Sequence, residues 1–148
     1  GLSMMDEASE SLDILITFLL IMAMLTAIVG AMGLAGTMSM NVLERTREIG
    51  IMRAIGATDF EIIRMVLVEG LMIGLISFAL SIVVAIPFTY LLSGIVSRAT
   101  FETPIAVVFT PMGYAIWLGL VLVLSSLASV LPAHNAARLT IREVLSYE

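Results

Sequence analysis

The sequence predicts an all-α membrane protein with three spanning helices and a short cytoplasmic helix between the first two. Its 148 residues are 60% apolar and 13% charged, with a mean hydropathy of +1.12, whereas a soluble domain is roughly 45–50% apolar and about 25% charged. Charged side chains are absent from residues 14–43, 70–97 and 103–137. Each stretch exceeds the roughly 20 residues that a helix needs to cross a bilayer. Buried helices of a soluble bundle usually carry a polar stripe, which these stretches lack.

Residues 1–13 precede the first span and are predicted to lie outside the cytoplasm. They carry four acidic side chains and no basic one, namely Asp6, Glu7, Glu10 and Asp13. Basic residues accumulate on the cytoplasmic side of membrane proteins, so an acidic flank without arginine favours the opposite side. Because Gly1 is not a translation start, we expect the chain to be a piece of a longer protein.

The first span, residues 14–43, contains small residues at four-residue spacing, which are Ala23, Ala27, Ala31, Ala35 and Ser39. Small side chains on one face of a spanning helix let a second helix approach closely. We therefore predict a packing face, although alanine is also simply common in apolar helices. Shorter ladders occur in the other two spans, at Gly70 and Gly74 and at Ser125, Ser129 and Ala133.

Residues 44–69 form a connection that is too long and too mixed in character for a simple turn. The connection begins with four charged residues, Glu44, Arg45, Arg47 and Glu48. On a helix that extends the first span, these side chains can form ion pairs at three-residue spacing. Gly50 permits a break after them. A short helical piece, Ile51–Ile55, is then predicted to end at Gly56, which suits a left-handed C-terminal cap.

A second helix is predicted to begin just after this cap. Thr58 and Glu61 have the spacing of a capping box, in which each side chain satisfies an unpaired amide. Upstream of them, Ile51, Met52 and Ile55 share one apolar face within a segment bracketed by charges. That face needs either the membrane surface or a protein partner. The connection is balanced or slightly acidic, whereas membrane-surface helices tend to be basic, so docking on a cytoplasmic protein is the sharper alternative.

The arginines orient the remaining segments. Four lie between the first two spans, two follow the third span, and only Arg98 lies in the second connection. The positive-inside rule then makes the first connection and the C-terminus cytoplasmic. The predicted segments are a second span at residues 70–97, an extracytoplasmic connection at 98–111, a third span at 112–131 and a cytoplasmic tail at 132–148.

Composition also excludes several classes of function. The chain has no cysteine for a disulfide or thiolate metal site, and it has no lysine, which a phosphate-binding P-loop requires. A net charge of −5 argues against nucleic acid as a partner. No ionisable residue lies in the middle of a span, which disfavours a proton pump or an ion channel. We therefore expect no enzyme activity, no metal site and no directly bound cofactor.

Two separated motifs resemble one family. The run from Glu44 to Thr58 reads ERTREIGIMRAIGAT, and the C-terminal run from Leu131 to Glu148 reads LPAHNAARLTIREVLSYE. Together with Glu69 and Gly74, they resemble the FtsX-like, or MacB-type, permease domain of ABC transporters. The resemblance implies a four-span permease with a large extracytoplasmic domain between its first two spans. The present chain would be the last three spans, and residues 1–13 the foot of that missing domain.

The resemblance further implies partners and a coupling segment. The permease would sit in the cell (inner) membrane as a dimer with a second copy or a paralogue, and an ABC ATP-binding subunit would supply ATP and Mg²⁺. The segment between the first two spans would couple to that ATPase through Arg45, Arg47, Glu48, Ile49, Gly50, Ile51, Met52, Arg53, Ile55, Gly56 and Ala57. In this picture the three arginines would pair with acids on the ATPase, while Ile51, Met52 and Ile55 would supply apolar contact.

The resemblance is compatible with two functions. The first is a permease that converts cytoplasmic ATP hydrolysis into movement of an extracytoplasmic domain, for export, extraction or mechanotransmission. The alternative is a signalling subunit of the FtsX type, which regulates extracytoplasmic cell-wall hydrolases without transport. The missing outer domain would discriminate between them, because a domain that docks hydrolase activators supports signalling.

Overall fold

The computed structural model describes residues 1–100 and 106–145 and contains four helices. These are α1 (Leu2–Glu44), α2 (Thr46–Ala54), α3 (Asp59–Thr100) and α4 (Pro111–Leu145). None of the described residues lies in a β-strand. The all-α fold with a short helix between the first two long ones is therefore confirmed.

Three helices are long and apolar enough to cross a membrane within the described part of the chain. They are Leu2–Glu44, Asp59–Ala99 and Pro111–Arg138. Their large apolar side chains are mostly exposed, as at Phe18 and Leu80, which suits a helix surrounded by acyl chains rather than by water. The prediction of three spans is confirmed.

The segment boundaries predicted from the sequence remain predictions. Residues 2–13 are helical and continuous with the first span, so the predicted foot extends the same helix. Parts of two other predicted segments, residues 101–105 of the second connection and residues 146–148 of the tail, lie outside the described residues.

Helix α4 lies between the other two long helices. It packs against both α3 and α1, while α1 and α3 touch each other only over a short stretch. All four helices meet at one end of the bundle, where the buried apolar side chains are concentrated. This core consists of Met38, Val42, Ile49, Ile62, Val66, Ala133 and Ala136. The core therefore lies beside α2.

Helices α3 and α4 approach each other closely at small residues. A Cβ atom added at Gly70 would overlap the Ser129 hydroxyl and lie 2.8 Å from Ser129 Cβ, and one added at Gly74 would lie 2.9 Å from Ser125 Cβ. Both serine hydroxyls donate to carbonyls one turn earlier, those of Ser125 and Val121, each at 2.7 Å. Because these hydroxyls are satisfied within α4, they can be buried against glycine without an unpaired polar group.

The small-residue ladder of α1 is half-buried along its whole length, from Ala23 to Ser39. The Ser39 hydroxyl donates to the Ala35 carbonyl at 2.8 Å. Ala27 and Ala31 line a groove of about 410 Å³ that α3 and α4 also border. The assignment of this ladder to helix packing stays a prediction.

Candidate functional site

Helix α2 starts after a backbone break at Arg45, five residues before the position predicted from the sequence. The break predicted at Gly50 is wrong, because α1 ends at Glu44 and α2 runs through Gly50 from Thr46 to Ala54. Arg45 adopts φ −96° and ψ 13°, outside the helical region. The Thr46 hydroxyl donates to the Leu43 carbonyl at 2.6 Å and so satisfies one of the last carbonyls of α1. Burial of Ile49, at 3% exposure, holds this first part of α2 against the core.

Helix α2 ends at the glycine where the sequence predicted its end. Gly56 has φ +110°, in the region that favours glycine. Its amide donates to the Arg53 carbonyl at 3.0 Å, and the Ala57 amide donates to the Met52 carbonyl at 3.0 Å. These two bonds form a Schellman motif, which turns the chain sharply from α2 towards α3.

Alanine substitutions at Gly56 and at Gly50 are expected to have different effects on the stability of the protein. Gly56→Ala should destabilise the protein by about 1–3 kcal/mol, because a side chain is strained at positive φ. Gly50→Ala should be neutral or stabilising by up to about 1 kcal/mol, since alanine is the better helix former and a Cβ there meets no atom within 4 Å in the part of the chain that the structure describes. Thermal unfolding in detergent measures both. Equal losses from the two variants would contradict the assigned break and cap.

The predicted capping box at the start of α3 is half present. The Thr58 amide donates to Glu61 Oε2 at 2.8 Å, as the motif requires. In the other direction, the Glu61 amide donates to the backbone carbonyl of Thr58 at 3.1 Å, a turn bond rather than a bond to the threonine hydroxyl. One side-chain bond and one turn bond therefore define the beginning of α3.

The residues assigned to the coupling segment divide between three environments. Ile49 is buried in the core. Four residues are half-buried, namely Gly50, Met52, Arg53 and Ala57. The remaining six are exposed, namely Arg45, Arg47, Glu48, Ile51, Ile55 and Gly56. The segment is therefore two-sided, with one face packed on the bundle and one face open.

Two of the three arginines assigned to the ATPase have contacts inside the chain. Arg45 Nε lies 3.0 Å from Glu48 Oε2, and Arg45 Nη1 lies 3.4 Å from Glu69 Oε2 on α3. Arg53 forms an ion pair with Asp59 at the start of α3 and donates from Nη2 to the Ala137 carbonyl of α4 at 2.9 Å. Sequence reasoning identified neither Asp59 nor Ala137 as a partner, because these contacts cross from one helix to another.

The open face of α2 combines charge with exposed apolar surface. Arg47, Ile51 and Ile55 follow one another at four-residue spacing, which places them on one side of a helix. Ile51 is 54% exposed and Ile55 is 84% exposed. We call these three residues the outer face of α2. Phe60, early in α3, is 71% exposed and was not singled out from the sequence.

No metal-binding chemistry emerges in the part of the chain that the structure describes. Among those residues, no three acidic or histidine side chains are grouped closely enough to hold a metal ion. The exposed surface of this region is apolar and basic at Arg47, Ile51 and Ile55.

Comparisons with known proteins agree on one family. The family model described as FtsX-like permease C-terminal matches residues 13–141. The chain is 33% identical over 126 residues to the macrolide export ATP-binding/permease protein MacB 2 of Aeromonas hydrophila subsp. hydrophila, covering 85% of the chain and 18% of that protein. It is 32% identical over 141 residues to the probable syringafactin export ATP-binding/permease protein SyfD of Pseudomonas syringae pv. tomato, covering 95% of the chain and 20% of that protein.

A third relative gives a similar result. The probable export ATP-binding/permease protein of Pseudomonas fluorescens is 31% identical over 141 residues, which cover 95% of the chain and 20% of that protein. The chain therefore spans about a fifth of the length of the curated relatives that it matches. No solved structure gives a significant match.

Proposed function

Because this chain belongs to the FtsX-like permease C-terminal family of ABC transporter permeases, we propose that α2 is the element through which it receives force from an ATP-binding unit. The proposal is that ATP hydrolysis moves α2, and that α2 moves the spanning helices and the extracytoplasmic domain attached to α1. The single observation that carries it is the outer face of α2. That face exposes two isoleucines beside Arg47 on a helix whose other side is packed on the bundle.

An exposed isoleucine pair outside the hydrocarbon is unfavourable unless something covers it. Burying such a side chain stabilises a complex by about 1.5–3 kcal/mol. Arginine is enriched at protein interfaces alongside large apolar residues. The combination on α2 therefore suits a protein cleft, and it suits headgroups less well because Glu48 adds an acid to the exposed surface.

The ATP-binding unit has to come from elsewhere in the protein or from a partner. The matched relatives are named ATP-binding/permease proteins, and this chain has no lysine from which to build a P-loop. ATP and Mg²⁺ would act through that unit. We further propose a multi-pass protein of the cell membrane with α2 and the C-terminus in the cytoplasm and the N-terminus outside. Dimerisation with a second permease copy is part of the same proposal.

A photo-crosslinking residue in place of Ile51 tests where α2 lies. In the complete transporter, illumination should join this position to the ATP-binding unit, because Ile51 would lie within its cleft. Mass spectrometry of the crosslinked peptides identifies the partner segment even where both parts share one polypeptide.

The control places the same crosslinker at Ser11, exposed at the far end of α1. It should give no adduct with the ATP-binding unit. Adducts to lipid alone from position 51 would support the alternative of an interfacial helix and would overturn docking.

A further inference from the structure

The side chain of Arg53 joins the end of α2 to both α3 and α4 through polar contacts. Its side chain is only 19% exposed. The guanidinium forms an ion pair with Asp59 and donates to the Ala137 carbonyl at 2.9 Å. These contacts place a permanent charge between the end of α2, the beginning of α3 and the cytoplasmic end of α4.

The chemistry of arginine suits this position. A planar guanidinium offers several donors in a fixed arrangement and so can hold a carboxylate and a carbonyl at once. A helix carbonyl retains a second lone pair after accepting its intrahelical bond, which lets Ala137 accept from Arg53 without breaking α4. Among the described residues, the buried Nε of Arg53 has no hydrogen-bond partner.

The other end of α2 is held as well. Arg45 lies at the junction of α1 and α2 and contacts Glu69 of α3 as well as Glu48 of α2. The core contact of Ile49 lies between these two arginines. Helix α2 therefore contacts the bundle at three places: through Arg45 at its start, Ile49 in its middle and Arg53 at its end. The contacts of Arg53 reach both α3 and α4.

We propose that Arg53 is a positioning residue that makes α2, the start of α3 and the cytoplasmic end of α4 move as one rigid body. This inference rests on the proposed coupling function, because it says how force received by α2 reaches the spans. It assigns Arg53 to the interior of the permease rather than to the ATPase. Arg47, which is exposed on the same helix, has the docking role.

Distances between two spin labels test this rigidity directly. This chain has no cysteine, so cysteines for labelling can be introduced at chosen positions. Ala54→Cys on α2 and Met72→Cys on α3 are both exposed. Any cysteines elsewhere in the complete transporter are first replaced. Electron paramagnetic resonance should give one narrow distribution of distances between the two labels, both without nucleotide and with trapped ATP. Arg53→Gln should replace that narrow distribution by a broad one, because the end of α2 then loses its ion pair with Asp59 and its hydrogen bond to Ala137.

Arg47→Gln is the matched control and should retain the narrow distance, since Arg47 faces away from the bundle. Asp59→Asn removes the same ion pair from its half-exposed side and provides the test if Arg53→Gln does not fold. The inference would be overturned if the distance distribution stayed narrow in both Arg53→Gln and Asp59→Asn. It would also be overturned if Arg47→Gln broadened the distribution as much as Arg53→Gln. Docking is judged separately by the Ile51 crosslink, so the two proposals can fail independently.

Discussion

Replacing Ile55 by aspartate in the complete transporter is expected to lower ATP turnover that depends on the permease by at least about tenfold. Loss of one buried isoleucine costs about 1.5–3 kcal/mol, and each 1.4 kcal/mol is about tenfold in an equilibrium constant. A carboxylate carried into an apolar cleft adds a desolvation penalty. The measurement is ATP hydrolysis by the purified transporter in lipid, at several enzyme concentrations.

The same substitution should leave the fold of the permease intact. Ile55 is 84% exposed and lies outside the core, so thermal unfolding should shift little. Ile55→Leu is the matched control, because it keeps an apolar side chain of similar volume and should retain turnover. If Ile55→Asp binds and hydrolyses ATP as the unmodified protein does, α2 has no docking role.

The second large effect is expected at the contact of α3 with α4. Gly70→Ala should destabilise the protein by about 1–3 kcal/mol, the usual cost of an extra methyl group in a tightly packed interior. The added Cβ would overlap the Ser129 hydroxyl and lie 2.8 Å from Ser129 Cβ. Thermal unfolding in detergent provides the measurement.

A compensating change tests the physical cause. Ser129→Gly removes the two atoms nearest to the new Cβ, so the double variant Gly70→Ala/Ser129→Gly should recover part of the lost stability. The resulting coupling between the two substitutions identifies direct contact. Gly94→Ala on the same helix is the control, since a Cβ there meets no atom of the described residues within 4 Å. Equal destabilisation by Gly94→Ala would show that the loss comes from alanine in α3 and not from the contact.

Features set by neighbouring residues were predictable from the sequence. The three spans follow from uninterrupted apolar stretches, and the end of α2 follows from Gly56, which adopts the positive φ that the local pattern predicted. The Thr58 and Glu61 pattern was half right for the same reason, because Glu61 reaches an amide only three residues away. Such features require only backbone geometry and short-range hydrogen bonds.

Gly50 shows where local reasoning was misleading. Glycine lowers helix propensity by about 1 kcal/mol relative to alanine, which suggested a break. The helix nevertheless continues through it, because Ile49 is buried against side chains of α1, α3 and α4. Packing of this kind outweighs a propensity difference of that size, and it depends on residues far away in the chain.

The sequence by itself determined that this chain crosses a membrane three times and that a charged, apolar-faced segment follows the first span. Hydrophobicity and charge act on each segment separately, so these properties can be read without knowing which helix touches which. Only the tertiary structure decided which side of α2 is covered, and that Arg53 reaches Asp59 and Ala137 while Arg47 remains exposed. Those contacts join residues up to 84 positions apart, and no local pattern specifies which distant partner a side chain will meet.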